Sequence, residues 1–169
     1  MEPSRYDGSE LSRAERVKAL HESGLLRHDM QNRLDILCET ATMILQTPMS
    51  LVNVLDAERV TTVAKWPKDD SERVAPIDAV ACKYVVAARE PVVIPNTLLH
   101  PTVCFMPFVT VQGVRSYLGV PVFYVGEAIG SVCVADFVVR EWTRWDVATL
   151  EGLSRLAGLA VADDDDSST

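Results

Sequence analysis

Two short connections constrain this chain more than anything else in it. The runs Arg115–Tyr124 and Ala128–Phe137, rich in Val, Ile, Phe and Tyr, are separated only by Val125-Gly126-Glu127. Likewise Ser50–Leu55 and Val60–Trp66 are separated only by the polar turn Asp56-Ala57-Glu58-Arg59. Period-two apolar runs joined this tightly are hairpins, because a parallel pair needs a crossover of about a dozen residues or more. Pro121 inside one of these strands removes a ladder donor, which predicts a bulge or an unpaired position there.

Helical spacing appears on either side of the hairpins. Leu34, Leu37, Cys38, Ala41, Ile44 and Leu45 form one stripe that Pro48 closes. Thr143, three residues before Asp146, opens a last helix with Val147, Leu150, Leu153, Leu156, Ala157 and Ala160 on its apolar side. Ser12-Arg13-Ala14-Glu15 has the spacing of a capping box, so a first helix is expected from there to about Ser23, stopped by Gly24. Its apolar positions Leu11, Ala14, Val17 and Leu20 are sparse, so it either caps its own core or finds contacts on another chain. Between the hairpins, Pro67–Pro76 reads as a polar loop. Asp78 reads as the N-cap of a short helix over Ala79–Ala88, and Pro91–Ile94 as a brief strand. From Leu98 to Gly113 the chain is apolar without a period, as expected of a lid or binding segment. Antiparallel hairpins flanked by helices make an α+β fold, with helices on one sheet face and a loop-covered cavity on the other.

Composition narrows the function classes. A chain of 169 residues with 48% apolar content has room for one well-formed core. Residues 1–10 read as a flexible tail, 11–161 as the domain, and 162–169, with Asp163–Asp166, as an acidic disordered tail. The net charge of −8 argues against nucleic acid as a partner. No apolar run approaches the roughly 20 residues that span a bilayer, and the first residues lack the pattern of a secretory signal. With 4 cysteines and no metal-ligand spacing, a reduced, cytoplasmic protein without a metal or other cofactor is expected.

An ordered series of fragments resembles bacterial GAF domains. It begins with Arg16, Ala19-Leu20 and Gly24-Leu25-Leu26, then Leu34-Asp35 leading into Pro48-Met49-Ser50-Leu51-Val52. It continues through Ala81-Cys82, Pro91–Asn96 and His100-Pro101. It ends with Gly113–Val122, Gly130–Asp136 and Arg140-Glu141-Trp142-Thr143. The resemblance implies a central antiparallel sheet, a helical layer behind it and a small-molecule cavity in front. It also implies a sensory or regulatory module that dimerises through its terminal helices. Relatives commonly carry a kinase, cyclase or phosphodiesterase output. None fits in the remaining residues, so a separate output protein or a change of oligomeric state would carry the signal.

The residues expected around that cavity are Cys82, Phe105, Phe108, Arg115, Tyr117 and Asp136. On the strand 115–124, Tyr117, Gly119, Pro121 and Phe123 share a mixed face with Arg115, while Leu118, Val120 and Val122 share an aliphatic face toward the helices. Phe105, Met106 and Phe108 would form an apolar lid. Arg115 would pair with Asp136 or with an anionic ligand. Near a helix start Cys82 would gain thiolate character, or else serve as a small buried residue. Cys104 lies on the apolar loop, and together with Cys82 it resembles part of the cysteine set of free-methionine-sulfoxide reductases, which are GAF proteins. The acidic positions that hold the methionine amine in those enzymes are here Ser116 and Val134, with only Asp136 kept. Cys38 and Cys133 read as core residues and His100 as a solvated loop residue. The bilin-attachment and cyclic-nucleotide signatures are absent. The expected activity is therefore binding rather than catalysis, with a pure protein-docking domain or a thiol redox protein as alternatives.

Overall fold

A computed structural model describes residues 7–27 and 30–167. Six strands form one antiparallel sheet: β1 Met49–Leu55, β2 Arg59–Trp66, β3 Val74–Pro76, β4 Val92–Ile94, β5 Ser116–Tyr124 and β6 Glu127–Asp136, in the order β3-β2-β1-β6-β5-β4. Five α-helices accompany them: α1 Ala14–Glu22, α2 Gln31–Leu45, α3 Cys82–Ala88, α4 Pro107–Thr110 and α5 Arg144–Ser167. The architecture is α+β, as expected from the hairpins. Helices α1, α2 and α5 cover one face, and α3 with α4 and short 3-10 turns covers the other. Among the described residues no helix is long and apolar enough to cross a membrane.

Both hairpins form as read. In the second, Val125 and Gly126 both have positive φ, the two-residue turn whose twist matches the strands it joins. Pro121 stays in register opposite Ser131, and the bulge falls one step later, between Val122 and Phe123. Strand β4 pairs only with Tyr117–Gly119, so β5 has lost that neighbour by the time Pro121 is reached.

Several sequence expectations change. The loop 67–76 ends in β3, a three-residue edge strand paired with Arg59–Thr61. Asp78 caps nothing: Ile77–Ala79 is a 3-10 turn, and α3 begins at Cys82. The connection 98–113 is built of 3-10 turns at Thr97–Leu99 and Val103–Phe105 followed by α4. Residues 1–6 lie outside the described residues, but Gly8–Glu10 is a 3-10 turn capped by Asp7 rather than loose chain. Asp163–Asp166 continue α5, and 168–169 lie outside the described residues. Extending an existing helix adds one bond per residue fixed, which carries even poor helix formers along.

The capping box at Ser12 does not form, because the Ser12 hydroxyl donates to the Ser9 carbonyl instead. What anchors α1 is Arg16, which is 0% exposed. Its five N–H groups reach four carbonyls, those of Leu11, Leu55, Asp56 and Ala128, at 2.6 to 3.4 Å. Together with Ala19 and Leu20 it ties α1 to its own sheet, so the sparse helix finds its contacts at home. At α5 the capping box is complete: Thr143 Oγ1 accepts from Asp146 N, and Asp146 Oδ2 accepts from Thr143 N.

Candidate functional site

Alternation along β5 and β6 sorts their side chains between two environments. Leu118, Val120 and Val122 join Val132 and Val134 of β6 in the core shared with α1, α2 and α5. Tyr117, Gly119 and Pro121 face the other way and lie opposite Ala135, Cys133 and Ser131. On β1, Leu51 and Asn53 continue that second face, opposite Cys133 and Ser131. A side chain at position 119 would run into the Tyr117 ring, so Gly119 is what lets the tyrosine lie flat along its own strand.

Above this face is a cavity of about 80 Å³. Its floor is Leu51, Asn53, Tyr117 and Cys133, its roof is Ala81 and Cys82 at the start of α3, and Phe108 of α4 closes one side. The Phe108 and Tyr117 rings are 6.2 Å apart and tilted by 49°. Met49 and Gln112 stand at the more exposed end. No side chain lining the cavity carries a formal charge.

The polar atoms on this face are unevenly satisfied. Asn53 donates to Cys82 Sγ at 3.8 Å and accepts from Thr62 Oγ1 at 2.8 Å. By contrast the Tyr117 hydroxyl, on a residue 5% exposed, and the Ser131 hydroxyl, on one 0% exposed, complete no hydrogen bond. Burial pushes the Cys82 thiol up to about 12, against the smaller opposing pull of Asn53 and the backbone N–H groups at the helix start. The helix start therefore fails to make a reactive thiolate, because desolvation of the anion outweighs those donors. Cys133 and the Tyr117 phenol are likewise raised by burial.

The cavity gathers Cys82, Phe108 and Tyr117 from the residues that the sequence singled out. Phe105, Arg115 and Asp136 are elsewhere. Phe105 is 79% exposed, since its 3-10 turn buries Val103 and the following Met106 instead. Arg115 precedes β5 and turns its guanidinium to the carbonyls of Val109 and Val114. Asp136 lies opposite Ser116, out of phase with Cys133 and Ala135. Its carboxylate pairs with Arg140 at 3.1 Å and accepts from Phe137 N, so the Arg115–Asp136 pair does not form. His100 is half-buried rather than solvated: its Nδ1 accepts from the N–H groups of Thr102 and Val103. Asn53 and Cys133 join the lining without a sequence signal of their own, although the hairpin register places Cys133 beside Gly119.

A larger groove of about 510 Å³ runs between α5 and the end of β5. Its one buried hydroxyl, that of Ser154, already donates to the Pro121 carbonyl at 2.6 Å. The smaller cavity, lined by the unpartnered Tyr117 hydroxyl, is the candidate site.

The GAF domain family model matches residues 29–161. In fold the chain is similar to free methionine-R-sulfoxide reductase from Neisseria meningitidis in complex with its substrate. That likeness has a TM-score of 0.69 at 15% identity over 90% of this chain and 90% of that one. It is similar to the blue-light absorbing form of the Thermosynechococcus elongatus PixJ GAF-domain, at 0.67 and 18% identity over 82% and 87%. A third similar structure is the GAF domain from Acinetobacter phosphoenolpyruvate-protein phosphotransferase, at 0.66 and 16% identity over 92% and 98%. At such identities the likeness is one of fold. No curated protein sequence matches the chain significantly.

Proposed function

The chain belongs to the GAF domain family, and from that premise we propose that it is a cytoplasmic regulatory module that binds a small molecule under α3 without transforming it. The observation that carries this reading is a covered cavity lined by the buried Tyr117 hydroxyl, which completes no hydrogen bond. Buried polar groups without partners are rare, and one that lines a cavity can be satisfied by a guest.

A route outward supports the regulatory part. Helix α3 roofs the cavity at its first residue and ends at Arg89, whose guanidinium approaches Glu10 at 3.6 Å and Glu127 at 3.5 Å. Those carboxylates also hold Arg13, at the start of α1, at 2.7 and 2.8 Å. Movement of α3 on binding would thus reach the first helix and the β5–β6 turn. Output through a second copy is the companion proposal. On α5, Trp145, Leu156 and Leu159 are 60%, 57% and 59% exposed, and their spacing of eleven and then three residues puts them on one side of the helix, where they would pair with a second copy. The four free thiols suit a reducing compartment.

Catalysis by thiol is disfavoured by the protonated, enclosed Cys82. Native mass spectrometry of freshly purified protein tests the reading: a reproducible retained mass, diminished in Tyr117→Phe, is expected. No retained mass in several preparations, with a protein partner still bound through the helices, would replace sensing by docking. Loss of two thiols on peroxide treatment, prevented by Cys104→Ser, would replace both with redox chemistry.

A further inference from the structure

The cavity's walls also say what kind of molecule belongs in it. Its space, about 80 Å³, is well below the roughly 300 Å³ at which ordinary ligand pockets begin. Tyr117 is the reason, because over Gly119 it occupies floor that a shorter side chain would leave open. The lining contains no Lys, Arg, Asp or Glu. Both charged candidates from the sequence, Arg115 and Asp136, are committed outside it. A carboxylate, phosphate or ammonium entering here would lose its hydration without a counter-charge, which is the costliest kind of burial. The polar groups that line it are neutral, the Tyr117 hydroxyl and the Asn53 and Gln112 amides beside the Cys82 and Cys133 thiols, and the rest of the wall is apolar.

We propose that the guest is a small uncharged molecule with an apolar body and one hydrogen-bonding oxygen, roughly the size of a short-chain alcohol or ketone. Its oxygen meets the Tyr117 hydroxyl, and its apolar end points toward Phe108 and the mouth beside Met49 and Gln112. This inference rests on the reading of the cavity as the ligand site. It adds that charge is excluded from that site.

The test is a methyl-NMR titration of the full chain, following Leu51 and Val114, with three probes of matched size: 1-propanol, propionate and propylammonium. Saturable shifts are expected with 1-propanol, and binding at least tenfold weaker with either ion. Tyr117→Phe should weaken 1-propanol binding about fivefold, the loss of one hydrogen bond, while leaving the melting temperature equal or higher. The comparison of the three probes on the unaltered chain keeps the test alive should that variant fold poorly. Propionate or propylammonium binding as tightly as 1-propanol would overturn the neutral-guest inference and leave the sensory reading standing. Silence from all three probes, in a protein that also retains no mass on purification, would overturn both.

Discussion

On the helix side of the sheet, Leu118, Val120 and Val122 meet Leu150 and Leu153 of α5 through methyl groups. One residue away along the same strand, Tyr117 faces a ring, two thiols and an amide across the cavity. The difference is one of completion. The hydroxyls that alternation assigns to the helix side, Ser50 and Ser116, donate to the carbonyls of Cys133 and Val138 at 2.9 and 2.8 Å. Those of Tyr117 and Ser131 on the cavity side donate to nothing. Thiols do not separate the two faces, since burial pushes Cys38 on the helix side and Cys82 on the cavity side both up to about 12. Within the strands, unsatisfied hydroxyls do. A face meant only for stability has its polar groups paired; a face meant for a guest leaves some for the guest.

The largest effect should come from the one residue that holds both faces at their common end. Arg16→Met keeps the apolar stem but leaves the Leu11, Leu55, Asp56 and Ala128 carbonyls without their donor. A loss of about 4 kcal/mol in urea unfolding is expected, in the range for dismantling a buried charged network. A loss below about 1 kcal/mol would mean water replaces the guanidinium and α1 is not clamped.

Next in size is the comparison itself, made with two neighbours. Leu118→Ala should cost about 3 kcal/mol, as a fully buried large-to-small change in a close-packed core. Tyr117→Phe should cost nothing and gain up to about 1 kcal/mol, because it removes a hydroxyl that has no partner. Equal costs for the two would show that the cavity face is an ordinary core. Smaller again is Thr143→Ala, which removes half of the α5 capping box and should cost about 1 kcal/mol in the same assay. No change there would place the stability of α5 entirely in its packing.

How much of this contrast could be read from the sequence depends on which signal carried it. Strand alternation separated Tyr117 from Leu118 without any coordinates, and the Thr143–Asp146 spacing marked the last helix start. Arg16 entered the sequence reading only through the family resemblance, because the helix was read from its apolar positions alone. Yet it lies three and four residues before Ala19 and Leu20, on the stripe that α1 buries. Asp136 was assigned to the cavity from its place in the family pattern, but the register puts it one residue out of phase. The segment 98–113 looked structureless because 3-10 turns have no useful hydrophobic period. Its markers were local: Asn96, which accepts from Leu98 N, and Pro107 at the first position of α4. The empty hydroxyls themselves were not legible, since no pattern of residue types says which donors will lack partners.

The smallest expected effect lies in the cover over the cavity, and it separates the two faces by pH. The turn Val103–Phe105 is held by neutral His100, whose Nδ1 accepts from Thr102 N at 3.3 Å and Val103 N at 3.1 Å. The Tyr84 ring lies 5.8 Å away, and its hydroxyl bonds Thr102 at 2.6 Å. Desolvation lowers the His100 pKa from its ordinary 6.5, and a proton on Nδ1 would abolish both bonds. With the folded value below the unfolded one, the unfolded chain takes up the proton first. The contribution is complete above pH 6.5 and is lost as pH falls from there through the lowered native value. His100→Asn keeps an acceptor but cannot titrate. Its melting temperature should therefore fall less than the wild type's between pH 7 and pH 5, and amide exchange at Thr102 and Val103 should rise on acidification only in the wild type. Parallel melting curves would show that the cover is held by Val103 and Met106 packing alone, leaving the cavity side as insensitive to mild acid as the aliphatic side.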